Sequence, residues 1–171
     1  MTHPIINLDQ IQLAPRPPHN TAPGDAAQRF DGRTGQVAAR IGARKLGYNI
    51  TAVPPGKRAF PLHSHRVNEE MFFILEGSGE VRIGSATHPL RAGDFLACPP
   101  GDPETAHQII NTGTTELKYL AVSTMLFPEI CDYPDSGKFL IAEKPRDAAG
   151  NVQGFRHVGR ADGNIDYWDG E

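Results

Sequence analysis

The sequence has little cysteine and no long apolar run. Cys98 and Cys131 are the two cysteines among 171 residues, which is too few for a disulfide scaffold. No stretch approaches the roughly 20 consecutive apolar residues that a membrane helix needs. The opening segment MTHPIINLDQIQL lacks both the positive start and the continuous apolar core of a signal peptide. We therefore expect a soluble, cytoplasmic protein with no membrane partner.

The sequence also lacks an excess of charge of either sign. Its 17 basic and 20 acidic residues give a net charge of −3, and no basic stripe indicates a nucleic-acid partner. What the sequence has in abundance is glycine, with 18 residues, and proline, with 15, more than average usage would give. This composition predicts many turns and argues against a helical bundle. The length is sufficient for one domain with a core.

Residues 1–45 have the composition of an arm that crosses the outside of the molecule. The stretch APRPPHNTAPGDAAQRFDGRTGQ is rich in proline, glycine and small polar residues, so it can bury little surface. The short apolar segment IINLDQIQL before it is a candidate edge strand.

Short β-rich runs, each closed by glycine or proline, predict one β-barrel over residues 46–127. The runs are YNITAV, EMFFIL, EVRI, DFLAC and ELKYLAVST. Regular short strands with turn residues between them are typical of an all-β sandwich or barrel with little helix. The segment EGSGE between two of these runs is predicted to be a hairpin connection, because its glycines can adopt positive φ.

Residues 128–171 are predicted to form a C-terminal extension. KFLIAE and FRHV have the pattern of short strands, and Tyr167 and Trp168 form an aromatic pair close to the end. Such a pair is typical of a docking anchor, either on the chain's own barrel or on a partner subunit. Because an edge strand favours pairing and both ends of the chain carry apolar segments, we expect a homodimer.

The stretch FPLHSHRVNEEMFF carries the candidate chemistry. In an extended strand His63 and His65 lie on the same face and form a chelating pair, and a carboxylate at the start of the next strand, Glu69 or Glu70, could close over the same point. Downstream, His107 begins the β-like run HQIIN. Three imidazole nitrogens and one carboxylate suit a divalent transition metal ion such as Mn, Fe, Zn, Ni or Co.

These residues resemble the two sequence motifs of the cupin superfamily. The first motif is Gly56, His63, His65, Glu70 and Gly77, with its first spacer one residue longer than usual. The second motif is Gly93, Pro99, Gly101, His107 and Asn111, with five residues instead of about two between the second glycine and the histidine. The resemblance implies a double-stranded β-helix, that is, a jelly-roll barrel with a metal ion inside. The metal ligands that it implies are His63, His65, Glu70 and His107.

The choice between Glu69 and Glu70 depends on that resemblance. Strand parity does not decide it, because the bend Arg66-Val67-Asn68 resets the phase of the chain. The six-residue spacing to Gly77 favours Glu70 as the metal ligand. Glu69 then becomes a neighbouring carboxylate and the candidate general base.

The function implied by the resemblance stays open between three classes, because a cupin fold does not define a reaction. Some small single-domain bacterial cupins that this chain resembles are labelled sugar-phosphate isomerases. We therefore expect a small-molecule enzyme of sugar or sugar-phosphate isomerase type that uses the metal as a Lewis acid. An iron-dependent dioxygenase and a non-catalytic small-molecule-binding cupin are the alternatives.

Overall fold

The computed structural model describes residues 3–18, 21–147 and 151–171, and its ordered elements are almost all strands. These residues contain thirteen strands and several 3-10 turns, and no α-helix occurs among them. The strands are β1 (Ala14–Pro15), β2 (Arg33–Gln36), β3 (Leu46–Val53), β4 (Ser64–His65), β5 (Glu70–Glu76), β6 (Ser78–Ile83), β7 (Ala86–Arg91), β8 (Phe95–Cys98), β9 (His107–Ile110), β10 (Leu117–Thr124), β11 (Glu129–Tyr133), β12 (Lys138–Ala142) and β13 (Arg156–Arg160). The 3-10 turns are Leu8–Gln10, Gly24–Gln28, Ala38–Ile41, Pro103–Thr105, Pro134–Ser136 and Ala161–Gly163. The predicted all-β architecture is confirmed.

The strands of the described residues form antiparallel sheets with the orders β1-β2-β3-β10-β5-β8, β13-β12-β11-β4 and β7-β6-β9. An antiparallel bridge between His63 and His107 joins the second of these sheets to the third, because His63 directly precedes β4 and His107 opens β9. The result is two layers of strands that face each other. This is the double-stranded β-helix that the motifs predict.

The main core lies between these two layers. Phe72 and Ile74 of β5 and Tyr119 of β10 belong to the same buried cluster as Val81 of β6 and Ile109 of β9. Phe72 and Ile74 face inward together because side chains of a strand alternate with period two. Burying one large apolar side chain contributes about 1.5–3 kcal/mol. Because this core is apolar, we expect the barrel to fold without a metal ion.

A corner at Gly77 joins the two layers and corrects the predicted hairpin. Strand β5 pairs with β8 and β10, whereas β6 pairs with β7 and β9, so the chain changes sheet between them. Gly77 has a φ of 81°, and a Cβ at this position would lie 2.4 Å from the carbonyl oxygen of Glu116. Glycine is therefore required here for two reasons: the backbone is left-handed, and two chain segments approach each other closely.

The N-terminal segment contains a capped 3-10 turn in place of the expected edge strand. The side chain of Asn7 accepts a hydrogen bond from the backbone N–H of Asp9, and the side chain of Gln10 accepts one from the backbone N–H of Asn7. These reciprocal bonds satisfy the N–H groups of the turn and compete with an extended backbone. Pairing begins only at β1, which pairs with β2.

Strands on both sides of residues 46–127 add to the sheets. β2 pairs with β3, and β11 pairs with β4. The division into an arm (1–45), a barrel (46–127) and a C-terminal extension (128–171) stays a prediction. Tyr167 and Trp168 contact each other with ring centroids 4.9 Å apart and are exposed.

Candidate metal centre

The histidine pair is held by backbone hydrogen bonds around β4. The rings of His63 and His65 lie side by side, with centroids 5.0 Å apart. His63 and His107 exchange backbone N–H···O bonds of 3.2 and 2.8 Å, and the carbonyl of His65 accepts a 2.8 Å bond from the N–H of Gly101. These bonds place His107, distant in the sequence, directly beside the pair.

Glu70 opens β5, and its carboxylate faces all three imidazoles. Its Oε2 atom lies 3.0 Å from Nε2 of His107, 3.5 Å from Nε2 of His65 and 4.0 Å from Nε2 of His63. Ligand atoms of His63, Glu70 and His107 all lie within 4.8 Å of one another. The structure therefore brings together the four side chains predicted as metal ligands, and we call them the His/Glu cluster.

The chemistry of this cluster fits a divalent transition metal ion. Nε2 of His65 is buried and makes no hydrogen bond, although buried polar atoms are normally paired. Nδ1 of His63 lies 2.9 Å from the carbonyl oxygen of Pro61. A proton on that Nδ1 leaves the lone pair of Nε2 directed into the cluster, which is the usual arrangement of a metal-binding histidine. Three nitrogens and one oxygen also match the preference of such ions.

Glu69 lies apart from the His/Glu cluster. Its side chain is exposed, and it is not among the residues that line the adjoining cavity. Its backbone is fixed to β10, because its N–H donates to Oγ1 of Thr124 and its carbonyl accepts from the N–H of Thr124, both at 3.0 Å. The general-base role of Glu69 stays a prediction, and its position gives that role no support.

Three residues of β11 contact the rings of the histidine pair. The sequence patterns did not identify them as candidate site residues. His65 Nδ1 lies 3.6 Å from Oε2 of Glu129 and 3.4 Å from Sγ of Cys131. The ring of Tyr133 stacks on that of His63 at a centroid distance of 6.0 Å. The available signal was the alternation Glu-x-Cys-x-Tyr in EICDY, which places these three side chains on one face of a strand.

The charges in the metal-free cluster are divided unequally between its members. Burial lowers the pKa of His63 to about 4, and the nearby His107 acts in the same direction. Burial also acts to lower the pKa of His65, but its contacts with Cys131, Glu129 and Glu70 outweigh burial and raise that pKa to about 12. Burial acts to raise the pKa of Glu70, but His107 and His65 hold it below its usual range. A protonated His65 therefore lies between the two ionised carboxylates of Glu70 and Glu129.

A cavity of about 250 Å³ adjoins the cluster. Its wall is formed by the four cluster side chains together with apolar, aromatic and amide residues. These other lining residues are Asn49, Phe60, Phe72, Gln108, Ile109, Tyr119 and Ala121. A pocket that is mostly apolar, with a few polar groups directed at one point, is typical of a small-molecule site.

Fold and site together define a jelly-roll barrel with a three-histidine, one-carboxylate cluster beside a small cavity. Residues 49–123 match the protein family described as "Cupin domain", and this range contains all four residues of the His/Glu cluster. These residues are less than half of the chain, and they confirm the resemblance to cupins that the two motifs predict.

Known proteins that this chain resembles include a curated oxalate-binding protein of Thermotoga maritima. The two are 36% identical over 74 residues, which are 43% of this chain and 58% of that protein. The chain spans little more than half the length of the curated relatives it matches, with 54% and 58% of their residues covered.

Two solved structures match most of the chain. A sugar phosphate isomerase of the cupin superfamily from Silicibacter pomeroyi has a TM-score of 0.72 and 24% identity, covering 97% of this chain and 98% of that chain. A putative sugar phosphate isomerase from Acidithiobacillus ferrooxidans has a TM-score of 0.68 and 20% identity, covering 86% of this chain and 97% of that chain. At these identities the likeness is one of fold.

The part of the chain that the structure describes contains no helix with the length and hydropathy of a membrane span.

Proposed function

We propose that the His/Glu cluster binds one divalent transition metal ion, and that the cavity beside it binds a small molecule through two neighbouring oxygens, as in an isomerase of sugar or sugar-phosphate type. The observation that carries the proposal is the approach of three Nε2 atoms to one carboxylate oxygen of Glu70, at 3.0 to 4.0 Å. A bound ion would supply Lewis acidity toward a carbonyl or hydroxyl oxygen. The nitrogen-rich donor set argues against calcium or magnesium, which prefer oxygen ligands.

Two amide side chains of the cavity wall are oriented to bind hydroxyl groups. Oδ1 of Asn49 accepts a 2.7 Å hydrogen bond from Thr51, so its N–H donors are the groups left for a ligand. Nε2 of Gln108 donates a 2.8 Å bond to the carbonyl of Phe60, so its side-chain oxygen is left as an acceptor. One donor group from β3 and one acceptor from β9, both lining the same cavity, match the paired needs of a sugar hydroxyl.

Tyr119 of β10 also lines the cavity and offers a proton donor to a bound molecule. Burial raises the pKa of its phenol, and the charge of Glu70 acts in the same direction while Arg16 opposes it. The phenol therefore stays protonated at neutral pH. Phe60 and Phe72 line the same cavity and make part of its wall apolar.

The cavity wall favours an unphosphorylated sugar over a sugar phosphate. No lysine or arginine is among the lining residues, and phosphate recognition relies on such cations or on N–H groups. A sugar phosphate would therefore place its phosphate at the cavity mouth. We expect binding to be tighter for a neutral hydroxy-carbonyl compound of the same carbon skeleton.

A second candidate function is non-catalytic binding of a small oxygen-donor molecule such as oxalate. Outside the His/Glu cluster, the lining residues include no carboxylate, histidine or lysine that could act as a general base. An isomerase needs such a base to move a proton between carbons. The oxalate-binding relative, by its name, is a binder. In this second candidate function the metal site binds the small molecule and no reaction follows.

The test begins with elemental analysis of purified protein, followed by calorimetric titration of the metal-loaded protein with simple aldoses, their phosphates and oxalate. Aldose-to-ketose conversion, followed by NMR, would support the isomerase. Tight oxalate binding without conversion of any sugar would support the binder. Oxygen consumption by the iron-loaded protein would point to the dioxygenase. A protein that binds no divalent transition metal would contradict the proposal as a whole.

A further inference from the structure

Glu129, Cys131 and Tyr133 are every second residue of β11, and their side chains face the histidine pair. Glu129 makes the largest number of polar contacts among them. It is buried, with 4% of its surface exposed. Cys131 pairs with His65 across β11 and β4, which fixes the register of the contact. The strand lies outside the residues that match the cupin family, so its contribution to the site comes from the C-terminal part of the chain.

The carboxylate of Glu129 holds the bend that separates His65 from Glu70. It accepts hydrogen bonds from the backbone N–H groups of Val67, Asn68 and Ile130, at 3.3, 3.0 and 2.8 Å. It also accepts one from the side-chain amide of Asn68. These four donors fix the position of the carboxylate beside His65. Because the bend determines where β5 begins, Glu129 determines where Glu70 lies relative to His65.

Asn68 extends this network to the other side of the bend. Its amide donates to the carbonyl of Leu126 at 2.9 Å, and its Oδ1 accepts from the N–H of Leu126 and from Oγ1 of Thr124 at 2.7 and 2.9 Å. The bend is therefore tied both to the end of β10 and to the start of β11. Buried networks of this kind hold a single geometry when every member is satisfied.

Glu129 also determines which nitrogen of His65 faces the cluster. With Nδ1 directed at Glu129 and Cys131, the other nitrogen, Nε2, faces Glu70 at 3.5 Å. A carboxylate behind a metal-binding histidine fixes its tautomer and ring orientation, and loss of such a partner typically weakens metal affinity 10–100-fold. We propose that Glu129 is a positioning residue of the metal site, acting through His65 and through the bend. This inference rests on the metal site proposed above.

The same geometry has a competing interpretation as a second metal site. Ligand atoms of His65, Glu129 and Cys131 also lie within 4.8 Å of one another. However, an ion there would have to displace the backbone and amide donors that Glu129 already binds, and it would share His65 with the first site. Positioning is therefore the better account, and the two interpretations predict different metal stoichiometries.

The experiment compares Glu129→Gln with the matched control Glu76→Gln. Glu76 is exposed at the end of β5 farthest from Glu70, where it pairs with Lys118 at 2.9 Å, away from the cluster. Apo protein of each variant is titrated with Co²⁺, and the absorption spectrum and dissociation constant are recorded. We expect Glu129→Gln to weaken Co²⁺ binding about 10–100-fold and to alter the spectrum, and Glu76→Gln to match the wild type.

The ring nitrogens of His65 provide a readout that a general loss of stability would not move. In the Zn²⁺-loaded wild type, ¹⁵N NMR should show the proton of His65 on Nδ1. Metal bound through Nδ1, or equal Co²⁺ affinity in Glu129→Gln and the wild type, would overturn the inference. If Glu129→Gln does not fold, Glu129→Asp shortens the side chain and withdraws the carboxylate from Nδ1 of His65. It should weaken binding in the same direction, and unchanged affinity would again overturn the inference.

Failure of this inference can be told apart from failure of the proposed function. A wild type that binds no Co²⁺ contradicts the metal site itself. A wild type that binds two ions per chain, with one lost in Glu129→Gln, replaces the positioning role by a second metal site. One ion per chain, with reduced affinity in Glu129→Gln alone, is the expected result.

Discussion

Binding of a divalent ion at about pH 8 should release about one proton per chain, and that proton should come from His65. In the metal-free protein the pKa of His65 is raised to about 12 by contacts that outweigh its burial, so the ring carries two protons at pH 8. A metal ion needs the lone pair of Nε2, and the proton on that atom must leave when the ion binds. His63, whose pKa is lowered to about 4, and Glu70, whose pKa lies below its usual range, are already deprotonated.

The size of the effect follows from linkage. Release of one proton makes the metal association constant rise about tenfold per pH unit, which is about 1.4 kcal/mol. An unperturbed histidine would stop contributing above its ordinary pKa of 6.5, whereas His65 should keep contributing toward about 12. The affinity should therefore still rise steeply between about pH 7 and 9, where a site of ordinary histidines would have levelled off.

Isothermal titration of metal-stripped protein with Zn²⁺, in two buffers of different ionisation enthalpy at the same pH, counts the protons released. His65→Gln is the control, since it should bind Zn²⁺ more weakly and lose the proton release assigned to His65. Tight Zn²⁺ binding at about pH 8 with no proton released would show that His65 is neutral in the free protein. The charge distribution inferred for the cluster would then be wrong.

Four further predictions concern the site, the fold and the assembly. His107→Ala should weaken metal binding by more than about 100-fold, since loss of even an outer partner of a ligand costs 10–100-fold, whereas the exposed His88→Ala should retain its metal, as measured by mass spectrometry. The metal-free protein should be most stable near pH 6.5. Below pH 6.5 its free energy of unfolding should fall, because the pKa of His63 is lowered to about 4 in the folded protein. Above pH 6.5 it should also fall, because the pKa of His65 is raised to about 12 and the stability from that ring is lost as the pH rises through this value. Urea unfolding at several pH values tests this, and a flat profile would contradict it. Ile74→Ala, at a fully buried position, should cost about 2–5 kcal/mol of unfolding free energy, a value that urea midpoints can check. Light scattering at micromolar concentration should give the mass of a homodimer; a monomeric mass would show that the apolar ends of the chain do not associate.

Local sequence patterns were sufficient for the strand-rich fold and for the histidine pair. Short runs closed by glycine and proline predict strands because turn chemistry and period-two alternation act over a few residues. His63 and His65 lie on one face for the same local reason. The family motifs then added Glu70 and His107, and the structure places all four side chains together.

Contacts between distant segments decided how the sheets connect, where Glu129 lies and what charge His65 carries. The sequence did not show that Gly77 is a corner between sheets, because the choice of strand partner depends on how the layers pack. The sequence likewise did not show that Glu129, 64 residues beyond His65, lies behind the ring of His65. Nor did it show the bend that directs Glu70 into the cluster and leaves Glu69 outside. The raised pKa of His65 has the same origin. Burial and the approach of two carboxylates exist only once β4, β5 and β11 have assembled, since charge interactions depend on distance in space and not along the chain.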